Sequence, residues 1–258
     1  KKNIIWNLRT CEFISFKKRT VFIVFVNSIL SWFVPQKIIS CTQKGISVHK
    51  KFGYKNNFTF IPNGYTHFDN KNKKLFNNSF FNIGLFGRYD PVKNHNLLFQ
   101  CLSLIKNINY KLILIGSNVD NKNINLLRQL KKFNILKNTM LLGPKKNLDP
   151  YFKSLDLHIL PSKTEGFSNV LCESMLNRTV SLATDVGHNS KILLNKKFII
   201  NDNPHDVFKK IIFYFDIKKN NYKKWMNIKK QSQLKIKRCY SLNKMIKSYE
   251  YCWDFNFK

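Results

Sequence analysis

The sequence predicts an α/β protein built on parallel sheets, and three observations carry this prediction. Short apolar runs that end in Gly or Pro recur from about residue 80 onward. Segments with apolar residues at spacings of three and four separate these runs. Hydrophobic residues make up 43% of the 258-residue chain, which is enough for a core and excludes a wholly disordered protein. Apolar strands that alternate with helices are typical of a doubly wound, Rossmann-like sheet.

The apolar runs of the longer, C-terminal part are its predicted strands. They cover residues 82–87, 111–116, 139–143, 157–161, 180–186 and 198–200. The intervening segments predict helices over 94–106, 122–133, 148–154 and 168–177. Two basic helices follow, at about 204–216 and 220–237, so we assign a Rossmann-like, ligand-binding domain to residues 77–240.

Residues 1–76 are predicted to form part of a second domain of the same type. Its elements are strands over 3–8, 37–41 and 58–61 and helices over about 12–33 and 42–52. Because three strands are few for a parallel sheet and the first residue is Lys, we expect this domain to lack an amino-terminal portion. A polar segment over 62–79 predicts the linker. Residues 241–258 contain a closing helix, which we expect to pack back toward the first domain.

The chain is strongly basic, since 45 Lys and Arg against 14 Asp and Glu give a formal net charge of +31. Such a charge raises the hypothesis of a nucleic-acid-binding protein. However, the single alanine and the abundance of Lys, Asn, Ile and Phe indicate a low-GC genome. The Lys residues also spread along the whole chain, so we expect no specific nucleic-acid partner.

The longest apolar run, over 21–35, is too short and too interrupted for a membrane-spanning helix. Its helix, with the basic residues Lys17, Lys18 and Arg19, has two interpretations: it lies on a membrane, or it packs inside its domain. We expect a cytoplasmic protein, with peripheral association at the inner face of the cell membrane as one option. The six Cys and six His are scattered, which predicts reduced thiols and no metal site.

Two loops at the carboxyl ends of predicted strands hold the residues that could carry chemistry. In the first loop, Gly87 and Arg88 precede Lys93, and two cations there could converge on a diphosphate. The glycines at strand ends, which include Gly116, allow either a tight turn or the close approach of a ligand. Either role fits the sequence at this stage.

The second loop contains two of the scarce acidic residues, Glu165 and Glu173, around Gly166. Ser168 is a predicted N-cap of the following helix, whose first N–H groups could bind a phosphate or a sugar hydroxyl. The two carboxylates could accept hydrogen bonds from hydroxyl groups of a sugar and a ribose. Alternatively, Glu173 responds to the helix dipole and Glu165 is a surface charge.

The ordered set of these motifs resembles glycosyltransferase family 4. The segments that carry the resemblance are 61–64 (IPNG), 87–88 with 93–94, 114–116, 142–143, Asp156, 160–162, 165–171 through Glu173 and Met175, and 183–187. The resemblance implies a GT-B fold, in which two Rossmann-like domains face each other across a cleft. It also implies sugar transfer from a UDP- or GDP-sugar, with retention of anomeric configuration and without a metal or other cofactor. His188 and Ser174 depart from residues common in the family.

The resemblance also assigns roles to individual residues. It implies that Arg88 and Lys93 neutralise the donor diphosphate, that Glu165 faces the donor sugar, and that Glu173 holds the ribose hydroxyls. The implied donor-binding residues are Gly87, Gly116, Gly166, Phe167, Ser168, Asn169, Leu171 and Glu173.

The function hypothesis is a retaining hexosyltransferase that acts on a glycan or lipid-linked acceptor in surface polysaccharide synthesis. Two alternatives stay open: a GT-B remnant that binds nucleotide-sugar without catalysis, and a basic nucleic-acid-binding protein. The sequence does not identify the donor sugar, the base or the acceptor.

Overall fold

The computed structural model of this protein describes residues 4–11, 18–66, 75–77 and 79–254. The predicted beginning of the first strand, part of the first helix (12–17) and half of the linker lie outside these residues. The architecture is α/β with two parallel sheets, as the sequence predicts.

The N-terminal sheet has three parallel strands in the order β1-β2-β3. These strands are β1 (Ile5–Leu8), β2 (Lys37–Ser40) and β3 (Phe58–Phe60). Helix α1 (Lys18–Leu30) joins the first two strands, and helix α2 (Gln43–Lys51) joins the last two. Leu8 lies opposite Ser40, which lies opposite Phe60, so all three strands end at one edge of the sheet.

The C-terminal sheet has six parallel strands in the order β6-β5-β4-β7-β8-β9. They are β4 (Phe81–Phe86), β5 (Tyr110–Ile115), β6 (Thr139–Leu141), β7 (Leu157–Leu160), β8 (Val180–Thr184) and β9 (Ile199–Ile200). The helices between them are α3 (His95–Ser103), α4 (Ile124–Lys132), α5 (Asp149–Ser154), α6 (Asn169–Leu176) and α7 (Asn189–Ile192). All six predicted strands are present, although β6, β7, β8 and β9 are shorter than the apolar runs that predict them.

Both faces of the C-terminal sheet are buried. In β5, Leu112 and Leu114 belong to one apolar cluster, while Ile113 and Ile115 belong to another with Phe86. Because side chains alternate along a strand, these clusters lie on opposite faces of the sheet. The continuous apolar runs of the sequence therefore correspond to strands covered on both sides.

Three long helices close the chain: α8 (Pro204–Asn220), α9 (Tyr222–Cys239) and α10 (Leu242–Asp254). The boundary between α8 and α9 falls at Asn221, whose side chain accepts a hydrogen bond from the Lys224 amide at 3.0 Å. Side-chain capping starts α9 there, two residues later than the spacing predicts.

Helix α10 packs on the N-terminal sheet. Cys252 lies in an apolar cluster with Ile39 and Ile61, and the Asn7 side chain donates a hydrogen bond to the Tyr249 hydroxyl at 2.8 Å. The domain boundaries at residues 76 and 240 stay predictions. No helix within the described residues is both long and apolar enough to cross a membrane.

Candidate active site

The predicted site residues lie at the point where the order of the C-terminal sheet reverses. From the centre of the sheet, the strands β4, β5 and β6 follow one another toward one edge, and β7, β8 and β9 follow one another toward the opposite edge. The loops that follow the adjacent strands β4 and β7 therefore separate and leave a crevice, which is where open α/β sheets bind ligands. The Lys163 amide donates a hydrogen bond to the Val92 carbonyl at 2.8 Å and ties these two loops together.

The loop after β4 is shaped by its own residues. The Asp90 side chain accepts a hydrogen bond from the Val92 amide at 2.8 Å, and Pro91 begins a single 3₁₀ turn over Pro91–Lys93. Proline suits the first position of such a turn because it has no N–H group to leave unpaired. This turn brings Lys93 back over Gly87, where an added Cβ would lie 3.4 Å from the Lys93 side chain.

Lys93, Ser162 and Glu165 form a compact polar group, here named the switch-point cluster. The Lys93 ammonium donates to Glu165 Oε1 at 2.5 Å, and the Ser162 hydroxyl donates to the same oxygen at 2.7 Å. The Lys93 and Glu165 side chains are only 18% and 11% exposed. The Glu165 carboxylate is therefore satisfied by charge and by hydrogen bonding from the protein itself.

Arg88 occupies the same loop but has a different partner. Its Nε lies 3.2 Å from Asp90 Oδ2, and its side chain is 63% exposed. An exposed ion pair of this kind is weak and leaves most of the guanidinium available. The Arg88 guanidinium is therefore largely available to bind an anion, whereas the Lys93 ammonium is mostly buried and paired with Glu165.

Two glycines at the sheet edge are required by contacts between neighbouring loops. Gly116, with φ of +153°, would place a Cβ 2.2 Å from the Gly87 carbonyl oxygen. Gly187, with φ of +58°, would place one 2.3 Å from the Glu165 carbonyl oxygen. Both the positive φ and the missing side chain are needed, so these glycines shape the loops that hold the charged residues.

Ser168 takes the N-cap position of α6, but its side chain does not cap the helix. The predicted N-cap position is confirmed, but the hydroxyl donates to Asn189 Oδ1 at 2.5 Å and accepts no hydrogen bond from the helix amides. Asn189 is fully buried, and its oxygen needs a donor more than the exposed helix end does. The first N–H groups of α6 consequently have no side-chain cap within the described residues.

Asn169, the first residue of α6, is held from the interdomain linker. Its Oδ1 accepts hydrogen bonds from Asn63 Nδ2 at 2.8 Å and from the Tyr65 hydroxyl at 2.6 Å. Burial raises the pKa of Tyr65, so its hydroxyl stays protonated and donates. The linker is thereby joined to the turn that carries Gly166 and Ser168.

Other predicted donor residues have structural surroundings. The Phe167 ring is buried and stacks on His188, with ring centroids 5.4 Å apart. Burial, and then the charges of Lys191 and Lys235, lower the pKa of His188 to about 4, so this ring is neutral at pH 7. The Leu171 side chain is fully buried in the core, and an added Cβ on Gly166 would lie 2.9 Å from the Arg9 carbonyl oxygen.

Glu173 lies apart from the switch-point cluster. It lines a cavity of about 440 Å³ together with Tyr65, Lys145, Lys146 and Asp149, here named the Glu173 cavity. Burial raises the pKa of Glu173 above its ordinary value of 4.5, and the nearby Asp149 carboxylate raises it further. A ligand that donates hydrogen bonds would relieve this unfavourable charge.

Sequence reasoning missed several contributors to this arrangement. No role was predicted for Ser162, Asn63 and Gly187, although they lie in the motifs that carry the family resemblance. No prediction concerned Tyr65, Asp149 or Asn189. Asn63, Tyr65 and Asn189 act through side-chain contacts with distant parts of the chain, for which spacing along the sequence gives no signal. Ser162 lies only three residues from Glu165, so the local spacing could have indicated this contact.

Two Rossmann-like units and a polar crevice at the carboxyl ends of the strands are the arrangement of the GT-B fold. The family description "Glycosyl transferases group 1" matches residues 67–232, well over half of the chain. The chain therefore belongs to the group 1 glycosyl transferase family.

Among curated proteins, the chain is similar to Protein CapJ of Staphylococcus aureus, with 32% identity over 144 residues. It is also similar to the N-acetylgalactosamine-N,N'-diacetylbacillosaminyl-diphospho-undecaprenol 4-alpha-N-acetylgalactosaminyltransferase of Campylobacter jejuni, with 34% identity over 99 residues. The alignments cover 54% and 38% of this chain, but only 35% and 26% of the length of these relatives.

Solved structures agree on the fold. HepE of Anabaena, in complex with UDP and glucose, superposes with a TM-score of 0.81 at 15% identity, over 98% of this chain and 72% of HepE. TarM of S. aureus, in a complex that includes UDP, superposes with a TM-score of 0.78 at 19% identity, over 96% of this chain and 50% of TarM. At such low identity these likenesses concern the fold alone.

Proposed function

We propose that this chain provides the donor-binding part of a retaining glycosyltransferase of family 4. The enzyme transfers a hexose-type sugar from a UDP- or GDP-sugar to a glycan or lipid-linked acceptor in surface polysaccharide synthesis, at the inner face of the cell membrane. The observation that carries this proposal is the switch-point cluster beside an uncapped helix N-terminus. The UDP in the HepE and TarM complexes and the undecaprenol-linked acceptor in the name of the Campylobacter relative support the substrate classes.

The proposed chemistry is electrostatic. Arg88 and Lys93 neutralise the negative charge that develops on the diphosphate as it leaves, without a metal ion. The amides of the turn from Gly166 to Asn169 bind sugar and phosphate oxygens. In the free protein Lys93 is engaged by Glu165. Diphosphate would share this cation, and Ser162 would keep Glu165 oriented toward the donor sugar.

Glu173 is proposed to hold the ribose hydroxyls. Its raised pKa means that the ionised carboxylate is poorly solvated in the free protein. Two hydroxyl donors would supply the missing hydrogen bonds, so nucleoside binding and ionisation of Glu173 favour each other.

Thermal unfolding with and without UDP and GDP tests this proposal. We expect one nucleotide to raise the melting temperature by roughly 5 °C at a hundredfold excess over Kd. Arg88→Ala and Glu173→Ala should each lower the shift by about half, while Lys122→Ala, which removes an exposed cation elsewhere, should leave it unchanged. If neither nucleotide moves the transition of the unaltered protein, the proposed donor site is wrong.

A further inference from the structure

The side chain of His95 lines a cavity that the proposed donor chemistry does not use. This cavity, here named the His95 cavity, has a volume of about 260 Å³. It lies between the loop after β4, the first turn of α3 and the loop after β7. The polar residues that line it are Tyr89, Asp90, Asn94, His95, Asn96 and Lys163.

His95 is a buried polar residue whose side chain lacks hydrogen-bond partners. It is only 2% exposed, and neither ring nitrogen has a partner among the described residues. Burial, and then the charge of Lys93, lower the pKa of His95 to about 4, so the ring is neutral at pH 7. A neutral imidazole has one N–H donor and one nitrogen acceptor. Because a buried donor and acceptor without partners destabilise a protein, a ligand that supplies both partners would gain binding energy here.

A second histidine shows why the cavity matters to this inference. His158, in β7, is also buried, and its ring nitrogens lack partners in the described part of the chain. Its ring, however, packs between Phe86 and Phe152, with ring centroids 5.8 and 5.4 Å away, in the middle of the core. There the imidazole acts as a flat core side chain, and it does not line the His95 cavity. The position of His95 on a cavity, together with its missing hydrogen bonds, therefore points to a ligand.

The other side chains of the His95 cavity can also form further hydrogen bonds. Within the described residues, the Lys163 ammonium and the Tyr89 hydroxyl have no partner. Burial raises the pKa of Tyr89, so its hydroxyl stays protonated at pH 7. The Asp90 carboxylate accepts hydrogen bonds from the Val92 amide and from Arg88 Nε, and it has lone pairs left for a further donor.

The start of helix α3 adds backbone donors to the cavity. Asn94 is the N-cap residue, but its φ of +52° is left-handed and its side chain makes no capping hydrogen bond. That side chain donates instead to Asp202 Oδ1 at 3.0 Å. The amides of His95 and Asn96 therefore have no side-chain acceptor in the described chain, and they can donate to a ligand oxygen.

This lining fits a sugar ring better than a phosphate or an apolar molecule. Sugar hydroxyls both donate and accept, so they can pair with the ammonium, the amides, the imidazole and the carboxylate. A phosphate would lie near the carboxylates of Asp90 and Asp202, and an apolar ligand would leave the polar groups unpaired. The volume is below the roughly 300–1,000 Å³ of pockets for drug-sized ligands, which suits one ring rather than an oligosaccharide.

The His95 cavity adjoins the loops that carry the switch-point cluster. Lys163 directly follows Ser162, whose hydroxyl donates to Glu165. Asp90 begins the turn that ends at Lys93. We propose that the His95 cavity is a saccharide subsite, which binds one sugar ring of a glycan acceptor. The choice of the acceptor as the source of that sugar rests on the proposed function, and the donor sugar is the alternative source.

Saturation-transfer NMR tests the proposal with the methyl glycosides of glucose, galactose, mannose, N-acetylglucosamine and N-acetylgalactosamine, each with and without saturating UDP. We expect at least one glycoside to bind with a Kd on the order of 1 mM, also when UDP is present. His95→Phe keeps a buried ring but removes both nitrogens, so it should weaken that binding at least about tenfold. His95→Gln, which provides a donor and an acceptor, should retain more affinity than His95→Phe. The matched control, His158→Phe, removes the other unpartnered imidazole and should bind like the unaltered chain.

A second measurement uses the unaltered chain with ¹⁵N-labelled histidine. The ring signals of His95 should shift when the bound glycoside is added, while those of His158 should not. If no glycoside binds, or if His95→Phe binds it as well as the unaltered chain does, the proposal is wrong.

Two further outcomes would also overturn the proposal. Loss of binding in Glu165→Gln but not in His95→Phe would place the sugar at the donor position. Displacement of the glycoside by inorganic phosphate, with phosphate binding that itself depends on His95, would make the cavity an anion site. The UDP-induced thermal shift of the unaltered chain tests the donor site by itself, so its failure is distinguishable from failure of the saccharide subsite.

Discussion

The switch-point cluster and the Glu173 cavity each contain one of the two carboxylates of the candidate site. The two regions differ in how well the surrounding protein stabilises the negative charge of that carboxylate. Glu165 receives hydrogen bonds from Lys93 and Ser162. Burial raises the pKa of Glu173, and the nearby Asp149 carboxylate raises it further. The first carboxylate is satisfied before ligand arrives, whereas the second gains from a ligand that donates hydrogen bonds. The contacts of the switch-point cluster therefore fix the orientation of Glu165, whereas the Glu173 cavity is suited to gain binding energy from a ligand that donates hydrogen bonds.

The largest expected effect comes from removing the cation of the switch-point cluster. Lys93→Met leaves the nearly buried Glu165 without its counter-charge and should lower the free energy of unfolding by about 3 kcal/mol. UDP affinity should fall at least about tenfold, because a charge-assisted contact to phosphate is lost. Denaturant unfolding and calorimetric titration with UDP measure the two effects.

A double variant separates stability from binding at this cluster. Lys93→Met with Glu165→Gln removes both charges and should recover most of the lost stability, since a neutral amide is far easier to bury than a lone carboxylate. UDP affinity should stay low, because the cation is still missing. Recovery of both properties would mean that Lys93 serves only to neutralise Glu165.

Glu173→Gln should have a smaller effect of the opposite sign. A raised folded-state pKa costs stability once the unfolded chain ionises, so the penalty is absent below about pH 4.5 and complete above the folded-state pKa. The variant should therefore melt about 1–3 °C higher than the unaltered protein at neutral pH, and the difference should vanish in acid. Thermal melts across this pH range measure it, with Glu250→Gln, a change at an exposed carboxylate on α10, as the control. A lower melting temperature at neutral pH would show that the cavity already stabilises the Glu173 charge.

The fold was predictable from the sequence because the strands of the C-terminal sheet are buried on both faces. Runs such as 111–116 are apolar without alternation, and their helices have clear periodicity. The contact between Lys93 and Glu165 could also be predicted from the sequence, because both residues follow strands whose carboxyl ends lie at the same end of the sheet. The contact between Tyr65 and Asn169 could not be predicted from the sequence, because it joins side chains 104 residues apart with no periodic signal. For α1 the sequence left two interpretations open, because its apolar run fits both packing inside the domain and contact with a membrane.

The smallest expected effect tests whether the two regions communicate through α6. Tyr65 lines the Glu173 cavity, and its hydroxyl bonds Asn169 at the helix start, beside the turn that holds Glu165. Tyr65→Phe removes that hydrogen bond while the ring can still stack on Phe167, so it should cost only about 0.5 kcal/mol of unfolding free energy. Asn169 keeps the Asn63 donor, which limits the loss further. If the bond positions the first turn of α6, UDP affinity should fall about two- to threefold in calorimetric titration.

Asn169→Ala, which removes both linker contacts, should weaken binding more, and the exposed Tyr222→Phe should change nothing. A loss of stability in Tyr65→Phe with unchanged UDP affinity would mean that the linker holds α6 in the fold without tuning the site.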